Sequence, residues 1–161
     1  MDNQDLNFLD AIRMAIEAEE SAAAFYEEAA KKTENPLGRE LLGQLADFER
    51  YHHTNLLALE DSLCNNGACI LYEGRELTFP VPDEIEEIKQ ADKMSAIGII
   101  EAAIEIKRKA EERYAALAEQ TADPNGQAMF ERLAEEEHVN RHILERAYWS
   151  LNNRGVWVQP Q

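Results

Sequence analysis

The chain has 161 residues, 45% hydrophobic and 30% charged, a length that allows one domain with a sizeable core and a composition ordinary for a soluble globular protein. Its 32 acidic residues against 16 basic ones give a formal charge of −16, which repels phosphate backbones and anionic lipid and argues against nucleic acid as a partner. No apolar run approaches the roughly 20 residues of a membrane span, and the start MDNQDLNFLDAIR lacks the basic flank of a signal peptide, so the cytoplasm is the expected compartment.

Only 7 Gly and 5 Pro, with Ala, Glu and Leu prominent, point to an all-α chain. From Leu6 to about Lys32, apolar residues recur at helical spacing through Leu9, Ile12, Ile16, Phe25 and Tyr26, which predicts a first helix. TENPLG breaks it, and Asn35-Pro36 reads as an N-cap with proline at the first helical position of a second helix reaching about Leu63. Residues 64–92 form a long crossover rich in turn formers, in which ILYEGRELTF is expected to make a small β-hairpin about Glu73 and Gly74. A third helix is expected from about Lys93 to Gln120, and after Asp123-Pro124 a fourth from about Gly126 to Leu151. Short turns at 33–36 and 121–125 make antiparallel neighbours. The whole reads as a single domain over 1–161, a four-helix bundle of two helical hairpins joined by the crossover.

The halves repeat. Asn35-Pro36 aligns with Asp123-Pro124, Gly38 with Gly126, Leu45 with Leu133 and Tyr26 with Tyr114, each pair differing by 88 (124 − 36, 126 − 38, 133 − 45, 114 − 26).

Three carboxylates share helix faces with core positions. Glu19 lies three after Ile16 and seven before Tyr26; Glu49 lies four after Leu45 with His52 on the same face; Glu137 lies four after Leu133. Buried charge costs several kcal/mol per ion unless it is paired or bound to metal, so this set needs cations. Residues three apart on a helix project from neighbouring points, and Glu49 and His52 can therefore reach one ion.

EESAAAFYEEAA (19–30), LADFERYH (45–52) and LAEEEHVNRHIL (133–144) resemble the helices of the rubrerythrin branch of the ferritin-like superfamily. That resemblance implies a ferritin-like bundle with two metal positions bridged by Glu49 and Glu137, iron as the cofactor, and peroxide- or oxygen-reducing oxidoreductase chemistry. The family's rubredoxin module, held by two Cys-x-x-Cys knuckles, has no counterpart here, which implies an external electron donor. A homodimer is expected by analogy.

At the offset of 88 Glu19 maps onto Lys107 (107 − 19) and His52 onto Asn140 (140 − 52), so both departures from the family pattern fall on the same metal position. One divalent ion plus the Lys107 ammonium balances three carboxylates. We therefore expect a single metal, iron ahead of manganese or zinc, on Glu19, Glu49, His52 and Glu137. Two readings stay open: an oxidoreductase with its second metal position degraded, and a non-catalytic bundle serving as a binding or assembly module in which Lys107 replaces the metal charge. If Lys107 snorkels outward, Glu105 or Glu111 becomes a substitute ligand, and His138 is the substitute if helix four rotates. His53 and His142 read as surface groups, Tyr26, Tyr51 and Tyr114 as core aromatics with satisfied hydroxyls, CNNGAC as a turn with buried thiols, and Trp149 and Trp157 as packing the end of helix four and the tail.

Overall fold

The computed structural model describes residues 3–77 and 88–157. Among them stand four helices, α1 (Asn3–Lys32), α2 (Pro36–Asn66), α3 (Gln90–Gln120) and α4 (Pro124–Arg154). Helix ends fall where the local chemistry puts them. Asn35 accepts hydrogen bonds from the backbone N–H of Leu37 (3.0 Å) and Gly38 (3.1 Å), and Asp123 accepts one from Asn125 (2.9 Å), so Pro36 and Pro124 open their helices without wasting a donor. At the far ends Gly67 and Gly155 take the left-handed conformation, φ 69° and 67°, which lets each helix close on the carbonyl of Leu63 or Leu151. These two caps are also 88 apart (155 − 67), extending the repeat past the helices themselves.

The helices pack most closely within each hairpin, α1 on α2 and α3 on α4, and α1 meets α3 more loosely. This is the all-α bundle of two hairpins that the sequence implies. Its apolar interior is divided in two. One cluster gathers Tyr26, Leu41, Leu45, Ile100, Leu144 and Trp157; the other gathers Ile12, Leu56, Tyr114, Leu117, Phe130 and Leu133. Each fully buried side chain of this size contributes about 1.5–3 kcal/mol. On every helix at least one buried charged residue lies between the two clusters, Glu19, Glu49, Lys107 and Glu137, so a charged layer crosses the waist of the bundle between two apolar clusters.

Trp157 shows how the tail is held. The α2 backbone at Gly38 is so close to the indole that a methyl group there would overlap the ring, and Trp157 is 1% exposed. Its image under the offset of 88 is Cys69, which sits on Gly126 in the same way (157 − 69 equals 126 − 38). The first turn of each hairpin's second helix is thus clasped by the residue two beyond the other hairpin's last cap.

Several expectations change here. Trp149 does not pack the end of α4; it is 49% exposed with Arg154 over its ring. Cys64 is exposed and Cys69 half-buried, so CNNGAC is not a buried dithiol turn. Ile70–Leu77 forms no strand, and the rest of the expected hairpin, Thr78 and Phe79, lies outside the described residues. The polar groups that a hairpin would have paired are taken by the helices instead. The backbone N–H groups of Cys69 and Arg75 donate to Asp123 Oδ2 (3.1 Å) and Glu136 Oε1 (2.7 Å), while Tyr51 Oη donates to the Glu73 carbonyl. This first part of the crossover is a strap laid over the α2/α4 side, with Arg75 over the rings of Phe48 and Tyr51.

Candidate metal centre

The charged layer is built from one or two residues per helix. Glu19 comes from α1 between Ile16 and Ala22, Glu49 and His52 from α2 between Leu45 and Leu56, Lys107 from α3 between Ala103 and Ala110, and Glu137 and Asn140 from α4 between Leu133 and Leu144. All six are buried. One ligand atom from each of Glu19, Glu49, His52 and Glu137 lies within 4.8 Å of all the others. The four residues singled out in the sequence are therefore brought together.

His52 faces the set with Nδ1, which is 3.0 Å from Glu137 Oε1, 3.6 Å from Glu19 Oε1 and 3.7 Å from Glu49 Oε2. Its other nitrogen, Nε2, is 3.9 Å from Glu136 Oε1. Tyr114 Oη donates to Glu19 Oε1 and fixes that carboxylate from α3. Lys107 does not snorkel: it is fully buried, donates to Glu49 Oε1 and stands 3.0 Å from Glu137 Oε2, with the rings of Tyr26 and Phe48 5.6 and 5.9 Å from its nitrogen. Consequently neither Glu105 nor Glu111 nor His138 is drawn in as a substitute ligand. Glu105 pairs with Arg108 (2.9 Å) on the surface, and Glu111 pairs with His138 (2.9 Å) and Arg141 (2.8 Å) on the α3/α4 exterior. The likeness of the two halves is kept in geometry while the charge is inverted, since Tyr114 lies on Glu19 as Tyr26 lies on Lys107.

Burial and charge act against each other throughout the layer. Burial, then the neighbouring Glu49 charge, pushes the Glu19 carboxyl well up. Burial pushes Glu49 the same way, but the Lys107 charge and then the close approach of Glu19 and His52 outweigh it and hold Glu49 well below the usual carboxylate range. Burial lowers His52 and Lys107, yet both end well above their ordinary values: Glu19, Glu136 and Glu137 act on the imidazole, Glu137 and Glu49 on the ammonium. Even so, the layer is under-satisfied. Glu19 Oε2, both nitrogens of His52, both oxygens of Glu137, Tyr26 Oη and Asn140 Nδ2 are buried without a hydrogen-bond partner. The Tyr26 hydroxyl expected to be satisfied is not. Orphaned acceptors on three residues, grouped about one point, are what a cation-binding donor set looks like when only its protein atoms are considered. The residues fit a metal ion.

One residue was missed in the sequence. Glu136 is buried, its carboxylate receiving Tyr72 Oη (2.9 Å) and Arg75 N (2.7 Å) from the strap and lying 3.8 Å from Arg132 Nε. It occupies the position that answers to Phe48 at the offset of 88 (136 − 48), a further break of the repeat beside the cluster. A negative charge on the side of the far nitrogen, here 3.9 Å away, favours the proton on Nε2 and leaves Nδ1 for a ligand role. The signal was available: an acid standing where the other half has a buried aromatic.

Among known proteins, the Rubrerythrin family model matches residues 10–148. A solved structure of a hypothetical protein from Pyrococcus furiosus is similar in fold, with a TM-score of 0.71 and 25% sequence identity, over 91% of this chain and 90% of that one. No curated protein matches.

Proposed function

The chain belongs to the rubrerythrin family, and we propose that it is a metal-carboxylate protein holding a single divalent ion, iron ahead of manganese or zinc, on Glu19, Glu49, His52 and Glu137. The observation that carries this reading is the convergence of four buried ligand atoms within 4.8 Å, several of them orphaned, beside one fixed ammonium. Lys107 and Asn140 occupy what would be the second metal position. There the ammonium supplies part of the positive charge that a second ion would have brought.

The chemistry that iron supplies in such a site is electron transfer to peroxide or dioxygen, with re-reduction by an external donor. The chain's own residues prepare the place. Glu49 and Glu137 share their charge between the ligand side and Lys107, Tyr114 orients Glu19, and Glu136 sets a negative charge behind the His52 ring. Two apolar clusters keep water from the layer on either side, which strengthens every charge interaction inside it. The same reading makes the protein a cytoplasmic homodimer. No helix among the described residues is long and apolar enough to cross a membrane.

A second reading has one observation in its favour: Lys107 already pairs with both Glu49 and Glu137, as it would in a metal-free bundle used for binding or assembly. Metal analysis separates the two. Protein purified with iron, manganese or zinc should hold one ion per chain, and Lys107→Glu with Asn140→His, which rebuilds the second position, should hold two. No bound metal at all would leave the second reading standing, and two ions in the unaltered protein would refute the single-ion site.

A further inference from the structure

The strap closes the charged layer on the α2/α4 side, but on the opposite side the layer can be reached. A groove of about 210 Å³ opens between α1 and α3, and its lining includes Glu19 and Glu49. It exists because α1 and α3 meet through small side chains. Ala18 and Ala22 face Ala110 and Ile106, and these four make apolar walls.

The rest of the lining is Ser21 and two cations, Lys109 and Arg113, which face solvent while Glu19 and Glu49 are buried at the inner end. Lys109 and Arg113 stand one turn apart on α3. Lys109 reaches Glu105 only at 4.0 Å and is largely exposed. Arg113 is half-buried and has no ion-pair partner among the described residues. Seven of the other nine arginines in this acidic protein are engaged by a carboxylate or a carbonyl. A guanidinium left free on the wall of an apolar groove is suited to an anion.

We propose that the groove between α1 and α3 binds a small organic carboxylate, its apolar body on the Ala18, Ala22, Ile106 and Ala110 walls and its carboxylate on Arg113 with Lys109 alongside. Phosphate-sized anions lack the apolar body that the walls would cover. Binding in the groove goes beyond the metal reading and stands without it. The ligand's effect on the metal centre, through Glu19 and Glu49, rests on that reading.

The test uses the full chain and sodium benzoate as probe, followed by titration calorimetry, with the neutral analogue benzamide in parallel. Benzoate should bind saturably at one site per chain, in metal-free and metal-loaded protein alike. Arg113→Gln should weaken it about tenfold or more, the size expected for a lost charge-assisted hydrogen bond. Ser21→Trp, a change at an exposed lining position that leaves the core intact, should block it with the helical circular dichroism unchanged. In cobalt(II)-loaded protein, benzoate should shift the visible absorption bands. Absence of saturable binding, equal binding of benzamide, or an unaltered affinity in Arg113→Gln would overturn the proposal. Benzoate binding to a chain that takes up no metal would support the groove and overturn the metal reading instead.

Discussion

Lys107→Met removes the ammonium from the charged layer and keeps most of the volume of its stem. In metal-free protein the Glu49 and Glu137 carboxylates then face a layer short of one positive charge. Leaving both ionised costs several kcal/mol, so the cheaper response is for one carboxyl to take up a proton on folding. At pH 7, against the ordinary Glu value of 4.5, that uptake costs about 3.4 kcal/mol, at about 1.36 kcal/mol per pH unit. The sign follows from linkage: the folded variant binds one more proton than its unfolded chain, so its stability relative to the unaltered protein recovers as pH falls. At pH 5 the loss should shrink to about 0.7 kcal/mol by the same arithmetic. For a domain of this size each kcal/mol is worth roughly 2–4 °C in Tm, so the deficit should be roughly 7–14 °C at pH 7 and under about 3 °C at pH 5. Thermal and urea unfolding in excess EDTA at the two pH values reads this directly. A deficit of equal size at both would mean that Lys107 matters for packing and not for charge, and no deficit at pH 7 would refute the claim that it balances the layer.

Glu136→Gln keeps the shape of the carboxylate but not its charge, and should lower metal affinity by roughly 10–100-fold while leaving the bound ion count at saturation unchanged, measured by competition with a chelating dye. Gly38→Ala forces a methyl into the Trp157 indole and should destabilise the fold by about 1–3 kcal/mol in urea unfolding. Gly43→Ala, in the same helix with nothing within 4 Å of the added carbon, should instead stabilise it by about 0.5–1 kcal/mol.

The helices, their N-caps and the clustering of Glu19, Glu49, His52 and Glu137 were legible because each rests on a short-range rule. Asn35-Pro36 and Asp123-Pro124 mark helix starts by their own hydrogen bonds, and the inward register of Glu19, Glu49 and Glu137 follows from helical spacing against Ile16, Leu45 and Leu133. The offset of 88 carried the reading further, to Lys107 and Asn140. What stayed hidden depends on segments with no period of their own. Glu136 is buried because the strap through Tyr72 and Arg75 folds over it, and nothing in α4 itself distinguishes it from the exposed Glu135. The same strap used up the polar groups that a hairpin would have needed. Trp149 and Trp157 could not be told apart by residue type; only the second has a glycine, Gly38, placed to receive it.

The shifted groups suggest how the layer stays neutral both with and without a metal ion. At pH below the raised values of both groups, the metal-free layer keeps a proton on Glu19, which burial and Glu49 push up, and one on His52, where Glu19, Glu136 and Glu137 outweigh burial. The charges are then His52 and Lys107 against Glu49 and Glu137, two against two, with Glu136 set beside Arg132. Binding an ion through Glu19 and His52 Nδ1 requires both of those protons to leave, and a divalent charge replaces them without a remainder. Binding should therefore release about two protons per ion below the raised values of both groups. In that range affinity should fall about a hundredfold for each pH unit of acidification. Calorimetry in buffers of different ionisation enthalpy counts the protons. Release of none would mean that the ion is not held by Glu19 and His52, and would move the site elsewhere in the layer.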